Sequence, residues 1–334
     1  MERRNFLKLT MSGILARTAA GSLGVVALAP RANAATINRT FYITEGFITQ
    51  ITGEDVYHMA FSNSQVDLNV PGESFIVQEG DTVNITIVNT LQTTHSFVID
   101  GMVDSGNIGG GATKNISFIA TRSGSFMYYD KLNAPYNRLC GLHGGMAIMP
   151  RDSANELYPG SLTFVQQQFW VFNDIDPIWN TAVQNGQIPN TPFVPRYFTL
   201  NGLGGRPPGA PGSHDPNLDA ITDPRSALHG HIGDRTLVRV MNAGMCQQSV
   251  HTHANHMEWL TSNGVVRPDV WKKDIIPLNG NGGQIDVIFP FETPPDAWPP
   301  VSTGAYPMHL HTEMSQTSGG GFYMFGAMTD IYFE

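Results

Sequence analysis

Along Thr82-Val-Asn-Ile-Thr-Ile-Val-Asn89 the polar and apolar positions alternate residue by residue. In an extended chain Val83, Ile85 and Ile87 fall on one face, and Asn84 and Thr86 on the other, the pattern of a half-buried β-strand. The turn Glu79-Gly-Asp81 precedes it, and Ser74-Phe-Ile-Val-Gln lies before the turn, which makes a strand–turn–strand unit. Further strands are predicted at 41–44, 47–51, 94–100, 115–119, 123–130 and 144–150. Beyond a polar joint at 151–160 come 169–173, 196–202, 287–290 and the closing strands within 322–333. Gly233-Asp-Arg-Thr-Leu-Val-Arg-Val-Met-Asn242 repeats the rhythm of Gly80 to Asn89, the best internal sign of a duplicated unit. Residues 174–195 read as an irregular excursion and 201–224 as a long Gly/Pro-rich surface loop. No long helical period is present, so the expectation is an all-β chain of two tandem Greek-key β-sandwiches.

Composition agrees with that pattern. The chain has 334 residues with 41% hydrophobic and 14% charged positions, 35 Gly and 22 Pro. That is enough for about two domains with real cores and many turns. A net charge of −9 and the lack of a basic patch argue against a nucleic-acid partner. The first 34 residues read as an address. Arg3-Arg4-Asn-Phe6-Leu7-Lys8 resembles a twin-arginine export signal, and Ala32-Asn33-Ala34 supplies a small-x-small cleavage site. A periplasmic or extracellular location is therefore expected. No later segment approaches the ~20 apolar residues that a membrane span needs. An oxidising compartment permits a disulfide between the two cysteines, Cys140 and Cys246. The alternative is two buried thiols, or one thiol serving as a copper ligand.

The candidate chemistry lies in histidine pairs. In Pro307-Met-His309-Leu-His311 a strand would aim both imidazoles to one side and Leu310 to the other. His251-Thr-His253 repeats the spacing upstream. If the two strands neighbour each other, His251, His253, His309 and His311 converge on one transition-metal site. His256 would face away from a continuing strand and is a weaker candidate. His229-Gly-His231 reads as a loop or sheet-edge pair, and His58 and His214 as surface or polar-packing residues. Met308, Met314, Met324 and Met328 read as gap-fillers of the core, with a methionine-rich copper(I) surface as the alternative.

Gly80-Asp-Thr-Val-Asn-Ile-Thr-Ile-Val-Asn, Gly141-Leu-His-Gly-Gly-Met-Ala-Ile-Met-Pro and Pro307-Met-His-Leu-His resemble the multicopper oxidases, which are built from cupredoxin domains. The likeness covers residues 39–334. It implies two cupredoxin-like domains, 35–152 and 161–334, akin to two-domain laccase-type oxidases and copper nitrite reductases. Those relatives form homotrimers with copper partly between subunits. Carried over by residue, it places His95 at the first ligand of a blue (type 1) copper, Asp130 where the thiolate ligand would stand, and Leu142 at the axial position. In the second domain Leu310 takes the place of the thiolate in the His-Cys-His element, and Gln248 stands where a further histidine is expected. Asp100, Tyr129 and Asp130 occupy places where copper-binding histidines would be, and are carried as additional metal contacts. Cys140-Gly-Leu-His143-Gly-Gly-Met146 looks superficially like a small cupredoxin's ligand loop, but Cys140 stands ten residues past the strand end. His143 is read instead as a polar position near the sheet rim. Glu258 and Glu313 are guesses for carboxylates that orient the rings.

The resemblance thus implies an exported copper-binding oxidoreductase with one or two copper ions in a His-rich centre. It would act on dioxygen or a small oxidisable substrate, without a type 1 site. The alternatives are a non-catalytic copper-handling or structural scaffold, and a complete blue oxidase or nitrite reductase. The sequence identifies no catalytic residue.

Overall fold

The computed structural model describes residues 33–204, 223–293, 303–323 and 325–334. The export signal lies almost wholly outside the described residues, as do His214, Met324 and most of the 201–224 loop.

The N-terminal half is built from β1 (Thr36–Thr49), β2 (Asp55–Ser62), β3 (Gly72–Gln78), β4 (Thr82–Asn89), β5 (Val98–Ile99), β6 (Val103–Asp104), β7 (Thr113–Ile119) and β8 (Gly124–Tyr129). A single turn of helix, α1 (Tyr136–Leu139), and β9 (His143–Met149) complete it. The C-terminal half opens with β10 (Gln166–Ile175), α2 (Pro177–Gln184), β11 (Tyr197–Leu200), β12 (Leu228–Gly230), β13 (Arg235–Asn242) and β14 (Gln248–Thr252). It continues with β15 (Met257–Ser262), β16 (Val265–Lys273), β17 (Ile275–Leu278), β18 (Gln284–Pro290) and β19 (Gly304–Leu310). After a 3-10 turn (Glu313–Gln316) come β20 (Thr317–Ser318), β21 (Phe322–Tyr323) and β22 (Met328–Phe333).

Each half is a pair of sheets around its own core. The first stacks β2-β1-β4-β7 on β3-β9-β8-β5-β6, and the second β11-β10-β13-β18-β15-β16 on β12-β22-β19-β14-β17. The alternation of β4 is realised: Val83, Ile85 and Ile87 are buried among Phe41, Phe97 and Tyr128. Burial of each such side chain stabilises by about 1.5–3 kcal/mol. On its other face Asn84 donates to Asn38 at 2.9 Å and Thr86 to Asn115 at 2.8 Å, a polar ladder on the exposed side.

The repeated Gly-Asp…Asn rhythm is a repeated construction. β4 lies parallel to β1 and antiparallel to β7, and β13 lies parallel to β10 and antiparallel to β18. Gly80 and Gly233 open the two strands at φ 81° and 100°, a left-handed conformation that favours glycine. Asn89 closes its strand by donating to the carbonyls of Thr93 (2.8 Å) and Ile108 (3.1 Å). Asn242 donates likewise to Cys246 (2.8 Å) and Asn279 (3.1 Å).

Several local expectations change. The candidates at 41–44 and 47–51 belong to one 14-residue strand, β1, which pairs with β4 over residues 36–43 and is carried through Gly46 by its pairing with β2. Only Val98–Ile99 of 94–100 is strand, joined by a bridge from His95 to Ile108. The excursion at 174–195 contains α2, capped by the Asp176 carboxylate, which accepts from the Ile178 N–H at 2.9 Å, with Pro177 at the first helical position. The 151–160 joint is not merely polar. Leu157 is buried with Phe164 against Met149 and Leu237.

The two sandwiches pack on Phe169, Val171 and Met241 against Met127 and Ala147. Beside them the buried Arg239 donates to Gln167 (2.9 Å) and Ser125 (2.8 Å) and lies 3.9 Å from Asp286. Burial lowers its pKa to about 10, and the Asp286 carboxylate works against that shift.

Candidate metal centre

β14 and β19 are antiparallel neighbours, with His251 opposite His309 and Val250 opposite Leu310. The two-residue period sends Val250, Met308 and Leu310 into the second core and the histidines to the outer face. The two outer partners lie just past the strand ends. His253 still donates its N–H to Pro307 O (3.1 Å), and His311 its N–H to Ser249 O (2.7 Å), so both stay in register. Ring centroids stand 4.6 Å apart for His251–His253, 5.1 Å for His251–His309, 4.9 Å for His251–His311, 5.4 Å for His253–His309 and 5.3 Å for His309–His311.

Hydrogen bonds orient two of the rings. His251 Nδ1–H donates to Asp274 O at 3.1 Å and His309 Nδ1–H to Leu310 O at 3.2 Å, which leaves each Nε2 lone pair for the cluster. Anchoring one ring nitrogen on a carbonyl is how ligating histidines are held. His253 Nε2 stands 3.3 Å from His309 Nε2, and one ligand nitrogen each from His251, His309 and His311 lie within 4.8 Å of one another. Desolvation first, then the charge of neighbouring rings, pushes His253 below the usual imidazole range. Desolvation likewise leads for His251 and His309, against a smaller opposing effect of their carbonyl hydrogen bonds. Neutral imidazoles with converging lone pairs fit a transition metal of borderline softness, copper included. A small cleft adjoins His309 and is lined by Gln316, Tyr323, Gly326, Ala327 and Met328.

Sequence reasoning missed Asp274, whose carboxylate lies 4.0 Å from His251 Nδ1. It follows β16, far from either histidine pair in sequence, and only the pairing of β14 with β17 brings it there. The carboxylates guessed for this role lie elsewhere. Glu258 is buried on β15, ion-paired with Lys272 (3.5 Å) and Arg235 (3.6 Å), and Glu313 starts the 3-10 turn. His256 is exposed beyond the end of β14. Of the methionines, Met308 and Met328 are buried in the core, while Met314 is exposed. His229 stacks on Tyr332 and meets Glu334 at 2.6 Å on the sheet edge.

The first sandwich treats its polar residues differently. Asp130 is fully buried and accepts five hydrogen bonds: His95 Nδ1–H (2.8 Å), Asn137 Nδ2–H (2.8 Å), Ser96 N–H (3.0 Å), Ser96 O–H (2.7 Å) and Leu132 N–H (2.9 Å). The other ring nitrogen of His95 pairs with the Thr93 hydroxyl at 2.7 Å, so both its nitrogens are engaged. Tyr129 donates to Asp100 at 3.1 Å on the exposed side. His143 opens β9 at the end of its sheet but is 1% exposed, with its Nδ1–H on Arg138 O at 2.7 Å. His58 is equally buried. The pairing of Cys140 with Cys246 is not formed. Cys140 sits in the first core, while Cys246 lies at the edge of the second, where its N–H donates to Asp174 at 2.6 Å.

Fold and site together define a two-sandwich β protein with a surface histidine cluster suited to a metal. Residues 58–153 match the family model described as multicopper oxidase. The copper-containing nitrite reductase of Rhizobium meliloti (strain 1021) is 23% identical over 267 residues, 72% of this chain and 65% of that protein. That of Cereibacter sphaeroides is 32% identical over 114 residues, 31% of this chain and 30% of that protein. The chain thus spans less than two thirds of the length of these curated relatives. Among solved structures, the blue copper oxidase of Nitrosomonas europaea superposes with a TM-score of 0.70 at 20% identity, covering 89% of this chain and 85% of that one. Copper nitrite reductase from the same organism gives 0.64 at 19% identity, covering 90% and 94%. Residues 58–153 thus resemble the multicopper oxidases, and the chain is similar in sequence and fold to the copper nitrite reductases. No described helix is long and apolar enough to cross a membrane.

Proposed function

We propose that the chain is an exported copper-dependent oxidoreductase whose centre is the outer-face cluster of His251, His253, His309 and His311, and that it works without a thiolate-bound type 1 copper. The observation that carries this reading is the convergence of four rings at centroid distances of 4.6–5.4 Å, with the Nε2 atoms of His251 and His309 left for a ligand. One or two copper ions held there supply one-electron redox chemistry. The chain's own part is to keep the rings neutral, fix their orientation through Asp274 O and Leu310 O, and leave a cleft beside His309 for dioxygen or a small oxidisable substrate. The absence of a type 1 copper is supported by Asp130, which stands at the thiolate's place with its oxygens committed to five donors, and by the buried Leu142 at the axial position. His95 offers no nitrogen to a metal. Asp100 and Tyr129 lie at the surface, where in a proposed trimer they would meet the histidine face of a neighbouring copy.

Copper analysis and electron spin resonance of protein from the export compartment test the reading. We expect stoichiometric copper, no intense blue thiolate-to-copper band, and oxidase activity that disappears on chelation. Activity that persists after complete copper removal sinks it. A non-catalytic copper-handling scaffold is the second reading, favoured by the absence of a thiolate at position 130. Bound copper with no turnover selects it.

A further inference from the structure

Three side chains buried between the sandwiches share an arrangement that the surface cluster leaves unexplained. His58 of β2, His143 of β9 and Asn173 of β10 are 1%, 1% and 3% exposed. They grip three consecutive carbonyls at the end of α1. His143 Nδ1–H donates to Arg138 O (2.7 Å), Asn173 Nδ2–H to Leu139 O (2.9 Å), and His58 Nδ1–H to Cys140 O (3.2 Å). Each spends its donor on the helix end and keeps an acceptor. His58 Nε2, His143 Nε2 and Asn173 Oδ1 have no hydrogen-bond partner among the described residues.

A buried acceptor without a donor costs about 1–3 kcal/mol, so three around one turn of chain need a reason. All three are lone-pair donors, which is what a cation wants. Both rings are fixed by a carbonyl on Nδ1, the support that ligating histidines use elsewhere. Both rings are anchored within three residues of chain, on Arg138 O and Cys140 O, and desolvation lowers both to about 4, which keeps them neutral.

We propose that His58, His143 and Asn173 form a second metal site, enclosed between the two sandwiches, that takes a late first-row transition ion such as copper or zinc. Two imidazoles and an amide oxygen suit these ions better than magnesium or calcium. An ion held there ties β2 and β9 of the first sandwich to β10 of the second. The site is independent of the surface centre and stands whether or not that centre holds copper.

The test uses the full chain with His251, His253, His309 and His311 all changed to Ala, which removes the surface cluster. We expect about one equivalent of copper or zinc to remain after purification, and to vanish when His143→Gln is added. A quadruple variant without metal overturns the proposal. The drop in metal from wild type to the quadruple variant separately tests the surface centre. Should the His143→Gln variant fail to fold, diffraction from wild-type crystals at the copper and zinc absorption edges decides. An anomalous peak beside His58 and His143 supports the site, and a non-anomalous water bridging the three acceptors refutes it.

Discussion

The histidines of the first sandwich are sunk in the interior, while the paired histidines of the second stand on an outer sheet face. His95 has both nitrogens engaged, by Asp130 and Thr93, whereas His251 and His309 each spend one nitrogen on a carbonyl and turn the other into the cluster, where His309 Nε2 meets His253 Nε2 at 3.3 Å. The difference teaches that an imidazole's chemistry is set by how many of its nitrogens the protein satisfies. Saturation makes a structural strut, and half-saturation makes a ligand. His58 and His143 sharpen the point, being interior rings that are only half saturated.

Acid should separate the two regions most strongly. His58 and His143 are held near 4 when folded, against 6.5 in an open chain. The unfolded chain therefore binds more protons between those values, and stability falls as pH drops from about 6.5 to about 4. The loss should reach roughly 3 kcal/mol per ring, read by denaturant unfolding of chelator-treated protein across that window. A flat profile between those two values would contradict the interior placement.

Asp130→Ala comes next. It strips five donors of their acceptor and should cost about 3–5 kcal/mol in unfolding free energy, while copper per chain stays as in wild type. A change in copper count would make the Asp130–His95 cluster a metal site after all. The converse change is His309→Ala with His311→Ala, which should weaken copper binding by about 100-fold or more in chelator competition. Because those rings face outward, metal-free stability should move by less than about 1 kcal/mol. The smallest effect compares the two sandwiches where they agree. Asn89→Ala and Asn242→Ala each remove the side chain that closes a strand end, and each should cost about 1–2 kcal/mol in thermal or denaturant unfolding. Markedly unequal costs would show that the shared motif is no longer used alike.

Much of this was legible in the chain. The alternation at 82–89 and its echo at 233–242 announced two sandwiches, and His-x-His spacing announced rings on one face. Other features were hidden for identifiable reasons. The α2 helix was readable from Asp176-Pro177, a capping carboxylate followed by proline at the first helical position, but the segment is too short to show a helical period. Asp274 gave no local signal, because its place beside His251 comes from sheet pairing. His143 does open its strand, but one strand read alone does not reveal that it is buried against the end of α1.

The sequence by itself determined the duplicated Gly-Asp…Asn unit and the apolar side of strands such as 82–89, because those follow from a two-residue period and local turn chemistry, whereas β2 and β15 to β17 were not read from it. Only the tertiary structure decided that β14 lies beside β19, that Asp130 is saturated, and that His58, His143 and Asn173 gather at the end of α1. Those are contacts between residues far apart in the chain. They depend on register and on which sheets stack, and no local pattern encodes either.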